Sequence, residues 1–251
     1  MMKKNPVNED IVYGLHPVIE AIQAGKTIDK ILVKKGASGE NLSLILKEIR
    51  RLHIPMQYVP VEKLNRVTRK NHQGVIAFVS SIDYHRLEDV IPAIFEEGKD
   101  PMLLILDQVT DVRNFGGIAR SAECFGVDCI VIPEKGAARV SSDALRTSAG
   151  ALNHVKVCRV KNLAASMKFM LNSGIKIIAS TEKADKPVYK GLLKGPVAII
   201  MGSEETGISP ELLELASEQL QLPVKGKTSS LNVSVAAGIF LYEAQRQRSQ
   251  D

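Results

Sequence analysis

The chain has 251 residues, of which 45% are hydrophobic and 24% charged, with a formal net charge of +5. This composition supports one large domain or two smaller ones and argues against extensive disorder. No apolar run approaches the roughly 20 residues of a membrane-spanning helix, and the first ten residues lack the apolar segment of a secretory signal. Three cysteines without a Cys-x-x-Cys pair indicate reduced thiols and neither a zinc site nor a disulfide framework. We therefore expect a cytoplasmic globular protein that binds no metal and no membrane.

The basic excess lies in the first third of the chain. Residues 1–80 contain 13 Lys and Arg against 7 Asp and Glu, whereas residues 81–251 contain 20 against 21. A small basic module beside a near-neutral larger one favours a domain that binds a polyanion such as nucleic acid. The alternative is that these lysines and arginines are ordinary solvated surface charges.

The first 80 residues predict a compact α/β unit. Apolar residues at helical spacing and a closing Gly25 predict helices over 17–23 and 41–52. Short β-branched or aromatic runs predict strands over 30–33, 56–59 and 75–79. A polar loop over 69–74 separates the last two strands.

The segment 81–99, with a short helix that ends at Gly98, is expected to link this unit to a second domain over 100–251. In the second domain, short apolar strands alternate with helices, the pattern of a mostly parallel sheet covered on both faces. The predicted strands are 102–106, 129–132, 175–180, 197–201 and 219–222. The predicted helices are 117–125, 142–150, 163–172, 210–216 and 232–247.

Ligands in parallel sheets bind beyond the carboxyl ends of the strands, so the loops after strands are the places to search for a site. The first candidate is 107–117, which runs from a strand into a helix and ends in two glycines. It lacks the G-x-G-x-x-G pattern of a dinucleotide-binding turn, because Arg113 and Asn114 precede the glycines. Arg120 follows one helical turn later. It is either a functional cation aimed at the loop or a surface partner of Glu123.

The second candidate loop, 201–210, contains Glu204 and Glu205. It is not a phosphate-binding loop, because Ile208 stands where such a loop needs lysine and because two carboxylates would repel phosphate. The loop suits a cationic ligand, a ligand rich in hydroxyl and amine donors, or an arginine such as Arg120. The alternative is an exposed acidic turn that caps the helix after Pro210.

The third candidate loop, 222–234, leads from a strand into the last helix. It contains Ser230 and Asn232, both of which are also ordinary residues for capping a helix N-terminus. Three polar loops in one sheet domain are harder to attribute to capping alone.

Taken in order, the three loops resemble the motifs of the SpoU/TrmH branch of the SPOUT RNA methyltransferases. The matching segments are 114–122, 200–208, and 222–224 together with 229–237. The first 80 residues, from 12–18 onward, resemble the small substrate-binding extension of this family, which is similar in fold to the ribosomal protein L30e. The resemblance implies an α/β SPOUT domain over 100–251 with a mostly parallel sheet, and an RNA-binding domain over 1–80.

The resemblance also implies a deep trefoil knot that holds S-adenosylmethionine, in place of the open sheet that periodicity alone predicts. By position, the cofactor residues are Gly202, Leu222, Val224 and Leu231. The family acts as homodimers, and an apolar stripe on the last helix could supply part of the interface or pack inside the domain. Its members are Val235, Ile239 and Tyr242.

The implied reaction is methylation of a guanosine ribose 2′-oxygen in 23S rRNA. Arg120 would stabilise the developing oxyanion, since arginine stays charged and is a poor base. Asn114 would orient Arg120 or the ribose, and Glu204 would hold an arginine or a cofactor group. Ser230 and Asn232 would shape the site. The expected RNA contacts are His16, Lys34, Arg69 and His72.

Other functions remain open at this point. The same chemistry could act on tRNA or on another rRNA site, such as the target of a thiopeptide-resistance methyltransferase. A non-catalytic RNA-binding protein would be expected to lack the polar residues of the three loops, which are present. A nicotinamide-dependent oxidoreductase is disfavoured because the glycine fingerprint is missing.

Overall fold

The computed structural model describes residues 10–226 and 230–249. The chain divides into two compact units. The smaller unit consists of the chain up to Asp83 together with the short segment Val140–Ser142. The larger unit consists of Tyr84–Arg139 and the chain from Asp143 onward.

The smaller unit is a four-stranded sheet with helices on both faces. Its strands are β1 (Ile11–Tyr13), β2 (Ile28–Lys34), β3 (Met56–Val59) and β4 (Val75–Val79). Its helices are α1 (Leu15–Gln23), α2 (Glu40–Arg51) and α3 (Val61–Val67). The strand order is β1-β4-β2-β3, with β3 parallel to β2 and the other pairs antiparallel.

Alternating side chains build two cores in this unit, one on each face of the sheet. Ile31 and Val33 of β2 face α1 and α2, whereas Leu32 between them packs with Leu64 of α3. Because both faces of the central strands are covered, β4 is apolar throughout and β2 is apolar over residues 31–33. The predicted elements of this unit are confirmed within two residues at their ends, whereas β1 and α3 were not predicted.

The larger unit contains six strands and six α-helices among the described residues. The strands are β5 (Met102–Leu106), β6 (Cys129–Pro133), β7 (Lys156–Val160), β8 (Lys176–Ser180), β9 (Val197–Met201) and β10 (Glu218–Leu220). The helices are α4 (Leu87–Glu96), α5 (Val112–Cys124), α6 (Ser142–Thr147), α7 (Leu163–Asn172), α8 (Pro210–Glu214) and α9 (Val233–Arg248).

All strand pairs of this sheet are parallel, and the order is β10-β8-β9-β5-β6-β7. From β5 the chain proceeds outward through β6 to β7, and it then returns to build the other half with β8, β9 and β10. The order therefore reverses between β5 and β9. At such a switch point the loops at the carboxyl ends of the two strands diverge and leave a crevice.

The segment 81–99, expected as a linker, contains α4, whose apolar face packs in the core of the larger unit. Leu87, Val90, Ile91 and Ile94 are buried there with residues of α7 and of the sheet. Most of this segment is therefore part of the larger fold. All five residues of both β5 and β9 are buried, as expected for central strands of a sheet covered on both faces.

Helix α5 begins at Val112, five residues earlier than predicted, because Asp111 caps it. The Asp111 carboxylate accepts hydrogen bonds from the backbone N–H groups of Arg113 at 2.7 Å and Asn114 at 2.9 Å. The paired glycines thus lie inside the helix. A Cβ on Gly116 would stand 2.6 Å from Cβ of Thr147, so this glycine serves close packing and not a ligand-binding turn.

Two further differences have local causes. The helix predicted over 142–150 ends at Thr147, because Ala149 and Gly150 have positive φ angles of 51° and 86°. Strand β7 was missed because it lies at an edge of the sheet and mixes Lys156 and Arg159 with apolar residues.

The end of α9 is fastened to two loops of the larger unit. Gln247 accepts a hydrogen bond from Leu193 N–H at 2.9 Å and donates one to the Gly191 carbonyl at 3.1 Å. Arg248 donates to the carbonyls of Asp100 and Pro101, each at 3.1 Å. These hydrogen bonds hold the end of α9 against residues 100–101 and 191–193.

The two buried cysteines are adjacent. The Sγ atoms of Cys129 and Cys158 lie 3.6 Å apart on neighbouring strands. The hydrogen bond that the Cys129 thiol donates to Cys158, together with burial, raises the pKa of Cys129 well above its ordinary value, which disfavours the thiolate. Over residues 10–226 and 230–249, no helix is long and apolar enough to cross a bilayer, and no cluster of three potential metal ligands occurs.

Candidate active site

The three polar loops converge at the switch point of the larger sheet. Asn114 lies in the first turn of α5, which follows β5, and Glu204 lies in the turn that follows β9. Asn232 caps α9. Because β5 and β9 are adjacent, the two loops after them meet, although Asn114 and Glu204 are 90 residues apart in sequence.

Glu204 is the centre of a hydrogen-bond network that joins the three loops. Its Oε1 accepts from Asn232 Nδ2 at 2.6 Å, from Asn114 Nδ2 at 3.1 Å and from the backbone N–H of Val233 at 3.1 Å. Asn232 Nδ2 also donates to Asn114 Oδ1 at 2.9 Å. Bonds to an ionised acceptor are the stronger kind, so this carboxylate fixes the loops to one another. Glu204 therefore holds two asparagines and not an arginine.

Asn232 combines the two roles that the sequence left open. Its Oδ1 accepts from the backbone N–H groups of Ser234 at 2.9 Å and Val235 at 3.4 Å, which makes it the N-cap of α9. Its Nδ2 donates to the network around Glu204. The cap oxygen thus orients the amide so that its nitrogen points at the site.

The turn that bears Glu204 is closed on itself. The backbone N–H of Gly207 donates to the Ser203 carbonyl at 2.9 Å, and the hydroxyls of Ser203 and Thr206 lie 2.7 Å apart. Gly202 packs against the other end of this turn, since a Cβ there would stand 2.1 Å from the carbonyl carbon of Gly207. Only glycine allows the backbone to approach this closely.

Asp107 ties the end of β5 to the chain after this turn. Its buried carboxylate accepts from the backbone N–H of Ser209 at 2.8 Å and from its hydroxyl at 2.6 Å. A buried carboxylate needs such partners, and the two bonds hold the far end of the turn in register with β5.

A first cleft of about 250 Å³ lies on one side of the turn. Its lining includes all four residues expected to bind a cofactor, and also Ser230, at the described end of the third loop. The four are Gly202, Leu222, Val224 and Leu231. Ser229, the other serine of that motif, lies outside the described residues.

Sequence reasoning missed one wall of this cleft, the segment after β8. Ser180, Thr181, Glu182 and Lys183 line it, because β8 is the next neighbour of β9 in the sheet. The available signal was a polar run directly after an apolar strand, the same feature that identified the other loops.

A second cleft of about 340 Å³ lies on the other side of the same turn. Asn114, Asp111 and Gln108 line it. Five residues line both clefts and so form the wall between them: Ser203, Glu204, Glu205, Thr206 and Val233.

Arg120 is exposed on α5, six residues beyond Asn114. Within the part of the chain that the structure describes, it forms no ion pair with Glu123 or Glu204. Within the described chain, the Asn114 side chain forms hydrogen bonds with Glu204 and Asn232 and none with Arg120. Arg120 therefore presents an uncompensated positive charge. The alternative role, a surface ion pair with Glu123, is not observed.

In the smaller unit, three of the four expected RNA contacts are exposed and border one loop. Lys34 donates its backbone N–H to the Gly74 carbonyl at 2.8 Å, and Gln73 accepts from Leu15 N–H at 3.0 Å, next to His16. The loop over 69–74 thus brings His16, Lys34 and Arg69 to the same edge. Lys70, 5.6 Å above the Tyr13 ring, is an additional cation there that sequence reasoning did not select.

His72 has a structural role. It is buried, its Nδ1 accepts from the backbone N–H of Gly74 at 3.0 Å, and its Nε2 lies 2.9 Å from Asn65 Oδ1. With Nδ1 accepting, the proton resides on Nε2 and is donated to Asn65. Both ring nitrogens are used inside the unit, so His72 is not available to contact RNA.

Replacing Asn232 with aspartate separates its two roles. The cap acceptor is retained, but the introduced carboxylate faces Glu204. We expect Asn232→Asp to lose about 1–3 kcal/mol of unfolding free energy at neutral pH. Because one carboxyl of the pair is protonated more readily when folded, the loss should shrink as the pH falls toward about 4.5. Thermal unfolding at both pH values measures this.

Asn162→Asp is the matched control, since Asn162 caps α7 by accepting from Ala165 N–H at 2.8 Å and is exposed. It should lose little stability at either pH. An equal loss for Asn232→Asp at both pH values would contradict the role assigned to its amide nitrogen.

Two clefts lie on either side of one turn, at the switch point of a parallel sheet. This arrangement is typical of an α/β enzyme, and the ligand of this one is not anchored by a phosphate-binding loop. Residues 101–242 match the SpoU rRNA methylase family, and residues 11–85 match the substrate-binding domain of RNA 2′-O-ribose methyltransferases. The chain therefore belongs to the SpoU methylase family.

Two curated relatives are similar to this chain over nearly their whole length. The chain is 34% identical over 245 residues to the 23S rRNA (guanosine-2′-O-)-methyltransferase RlmB of Photobacterium profundum, covering 96% of this chain and 99% of that one. It is 33% identical over 240 residues to YacO of Bacillus subtilis, which is assigned to the TrmH family of tRNA/rRNA methyltransferases, covering 96% of each. The solved SpoU methyltransferase AviRb of Streptomyces viridochromogenes, in complex with AdoMet, superposes with a TM-score of 0.61 at 23% identity. That superposition covers 96% of this chain and 91% of AviRb and confirms the fold.

Proposed function

We propose that this protein transfers a methyl group from S-adenosylmethionine to the ribose 2′-oxygen of a guanosine in 23S rRNA. The observation that carries the proposal is the convergence of Asn114, Glu204 and Asn232 between two clefts. Relatives named as 23S rRNA guanosine methyltransferases, at 32–34% identity over nearly the full chain, support the substrate.

The first cleft has the chemistry that S-adenosylmethionine requires. Leu222, Val224 and Leu231 supply apolar surface for an adenine ring, and Val224 and Leu231 are 44% and 39% exposed, unlike core residues. The charged residues of its described lining are three glutamates and one lysine, a set that suits a cationic ligand without phosphate. When bound, this cofactor supplies an electrophilic methyl group on a positively charged sulfur.

Arg120 acts on the ribose. The 2′-hydroxyl becomes a better nucleophile as it loses its proton, so a positive charge beside the oxygen lowers the barrier. A guanidinium remains charged at neutral pH and does not take the proton itself, which passes to water or to an RNA phosphate. The absence of an ion-pair partner for Arg120 in the described chain leaves its charge available.

Asn114, Glu204 and Asn232 are positioning residues. They hold the wall between the two clefts, and with it the position of a cofactor in the first cleft relative to the ribose. Methyl transfer depends steeply on this alignment. Ser230 contributes a hydroxyl to the rim of the first cleft.

The larger unit forms a deep trefoil knot in this proposal. The knot rests on membership of the family, and the hydrogen bonds of Gln247 to residues 191 and 193 are compatible with it, since they hold the end of α9 against the segment before β9. A knotted backbone would keep the walls of the first cleft together when the cofactor leaves.

The protein works as a homodimer through α9. Val235, Ile239 and Tyr242 are 50%, 39% and 57% exposed on one face of this helix, so packing inside the unit does not account for them. Together with Phe125, whose ring lies 6.2 Å from that of Tyr242, they form an apolar surface suited to a second copy.

RNA binds at the edge of the smaller unit that carries His16, Lys34 and Arg69. Cations at such an edge contact phosphates, while exposed loops and 2′-hydroxyls of the RNA provide specificity. Since the proposed substrate is ribosomal RNA, a cytoplasmic location is part of the same proposal.

The double variant Lys34→Ala/Arg69→Ala should bind 23S rRNA fragments more weakly, because two phosphate contacts are lost. The slope of log affinity against log salt should fall in magnitude by about 1.4–1.8. Filter binding at several salt concentrations measures both effects. Lys47→Ala/Arg50→Ala removes the same two residue types from the exposed face of α2 and should change neither. Equal salt slopes in the two variants would contradict the proposed edge.

Mass spectrometry of nucleosides tests the proposed function. Ribosomal RNA and tRNA from cells with and without the gene are compared, and the purified protein is then supplied with each RNA and S-adenosylmethionine. We expect 2′-O-methylguanosine to be lost from 23S rRNA in the deletion strain and restored by the protein. If 2′-O-methylguanosine were lost only from tRNA, the substrate would be tRNA and the proposed chemistry would stand.

A further inference from the structure

Two adjacent glutamates in the turn over 203–207 differ in what their carboxylates contact. Glu204 Oε1 accepts three hydrogen bonds from Asn114, Asn232 and Val233. Within the described chain, the Glu205 carboxylate has no hydrogen bond or ion pair, and the residue is exposed. The negative charge of Glu205 is therefore free to act on a ligand.

Glu205 is also held where a ligand would meet it. It is one of the residues that line both clefts, and the turn around it is closed by the Ser203–Gly207 and Ser203–Thr206 hydrogen bonds. A charge on the wall of a cleft acts more strongly on a neighbouring charge than one on an open surface, because less water lies between them.

We propose that Glu205 makes the first cleft select its ligand by charge, favouring the cationic S-adenosylmethionine over the product S-adenosylhomocysteine. This inference rests on the proposed function. The two ligands differ by one methyl group and by the positive charge on sulfur, so a nearby carboxylate stabilises only the first. Transfer of the methyl group removes this attraction and promotes release of the product.

Isothermal titration calorimetry of the full chain with the two ligands tests the proposal. In Glu205→Gln, the preference for S-adenosylmethionine, expressed as the ratio of the two dissociation constants, should fall about three- to tenfold. Sinefungin, which carries an amine in place of the sulfonium, should lose affinity in parallel with S-adenosylmethionine. Glu205→Asp retains the charge and should keep most of the preference.

Glu214→Gln is the matched control, because Glu214 is exposed on α8 and lines neither cleft. Its ratio should equal that of the wild type. An unchanged ratio in Glu205→Gln would overturn the proposal and leave the proposed function intact, whereas a wild-type chain that binds neither ligand would overturn the proposed function.

A salt titration of the wild type provides a second test that needs no variant. The preference should decline as salt increases from about 50 mM to about 500 mM, because a partly exposed charge is screened. A preference that is constant over this range contradicts the proposal even if Glu205→Gln does not fold.

Discussion

Replacing Arg120 with alanine should lower the turnover number of methyl transfer by about 100- to 1,000-fold or more, the usual cost of removing a group that stabilises a developing oxyanion. The dissociation constant for S-adenosylmethionine should stay nearly unchanged, because Arg120 does not line the first cleft. Folding should also be unaffected, since the side chain is exposed and unpaired among the described residues. Single-turnover kinetics and calorimetry measure the two quantities separately.

Two controls sharpen this prediction. Arg120→Lys keeps the charge but loses the planar fork of donors, so its rate should fall between wild type and Arg120→Ala. Lys168→Ala removes an exposed cation from α7 of the same unit and should leave the rate unchanged. Near-wild-type turnover of Arg120→Ala would remove Arg120 from the mechanism.

Replacing Gly202 with alanine should weaken the binding of S-adenosylmethionine. The new Cβ would lie 2.1 Å from the carbonyl carbon of Gly207 and 2.3 Å from the backbone nitrogen of Ile208. Backbone atoms cannot turn aside as a side chain can, so the turn over 203–207 must move out of its position between the clefts. We expect a loss of affinity of about 10- to 100-fold and a loss of stability of about 1–3 kcal/mol.

Gly191→Ala is the matched control for this effect. Its Cβ would also be too close to a neighbour, at 2.2 Å, but that neighbour is the Cδ1 atom of Leu220, which can rotate away. This variant should lose some stability and keep its affinity for S-adenosylmethionine, both measured by thermal unfolding and calorimetry. Wild-type affinity in Gly202→Ala would show that the close approach of the two glycines does not shape the first cleft.

The elements of the larger sheet were predictable where the residues alone determine them. Strands β5 and β9 are unbroken apolar runs, and both were predicted with their observed bounds, Met102–Leu106 and Val197–Met201. The start of α5 was not predicted, because an aspartate such as Asp111 is common both in loops and as a helix N-cap. Which role it plays depends on packing of Gly116 and Gly117 against residues far along the chain.

The candidate site was predictable as a set of loops but not as an arrangement. In the sequence pattern, Asn114, Glu204 and Asn232 each follow a predicted strand or precede a predicted helix. Their positions in loops could therefore be predicted. Their contacts require that β5 and β9 be neighbours, which depends on the strand order. For the same reason the segment 180–183 was missed, since it joins the first cleft only because β8 lies next to β9.

From the sequence alone follow the α/β class, the basic character of the first 80 residues, the polar loops and, by resemblance, the family. These depend on local patterns of apolar, charged and glycine residues. The tertiary structure decided that Glu204 fastens two asparagines, that Arg120 is exposed without a partner, and that His72 is an internal hydrogen-bonding residue. Such roles depend on which atoms lie within about 3 Å of each other, and that is set by the packing of segments distant in sequence.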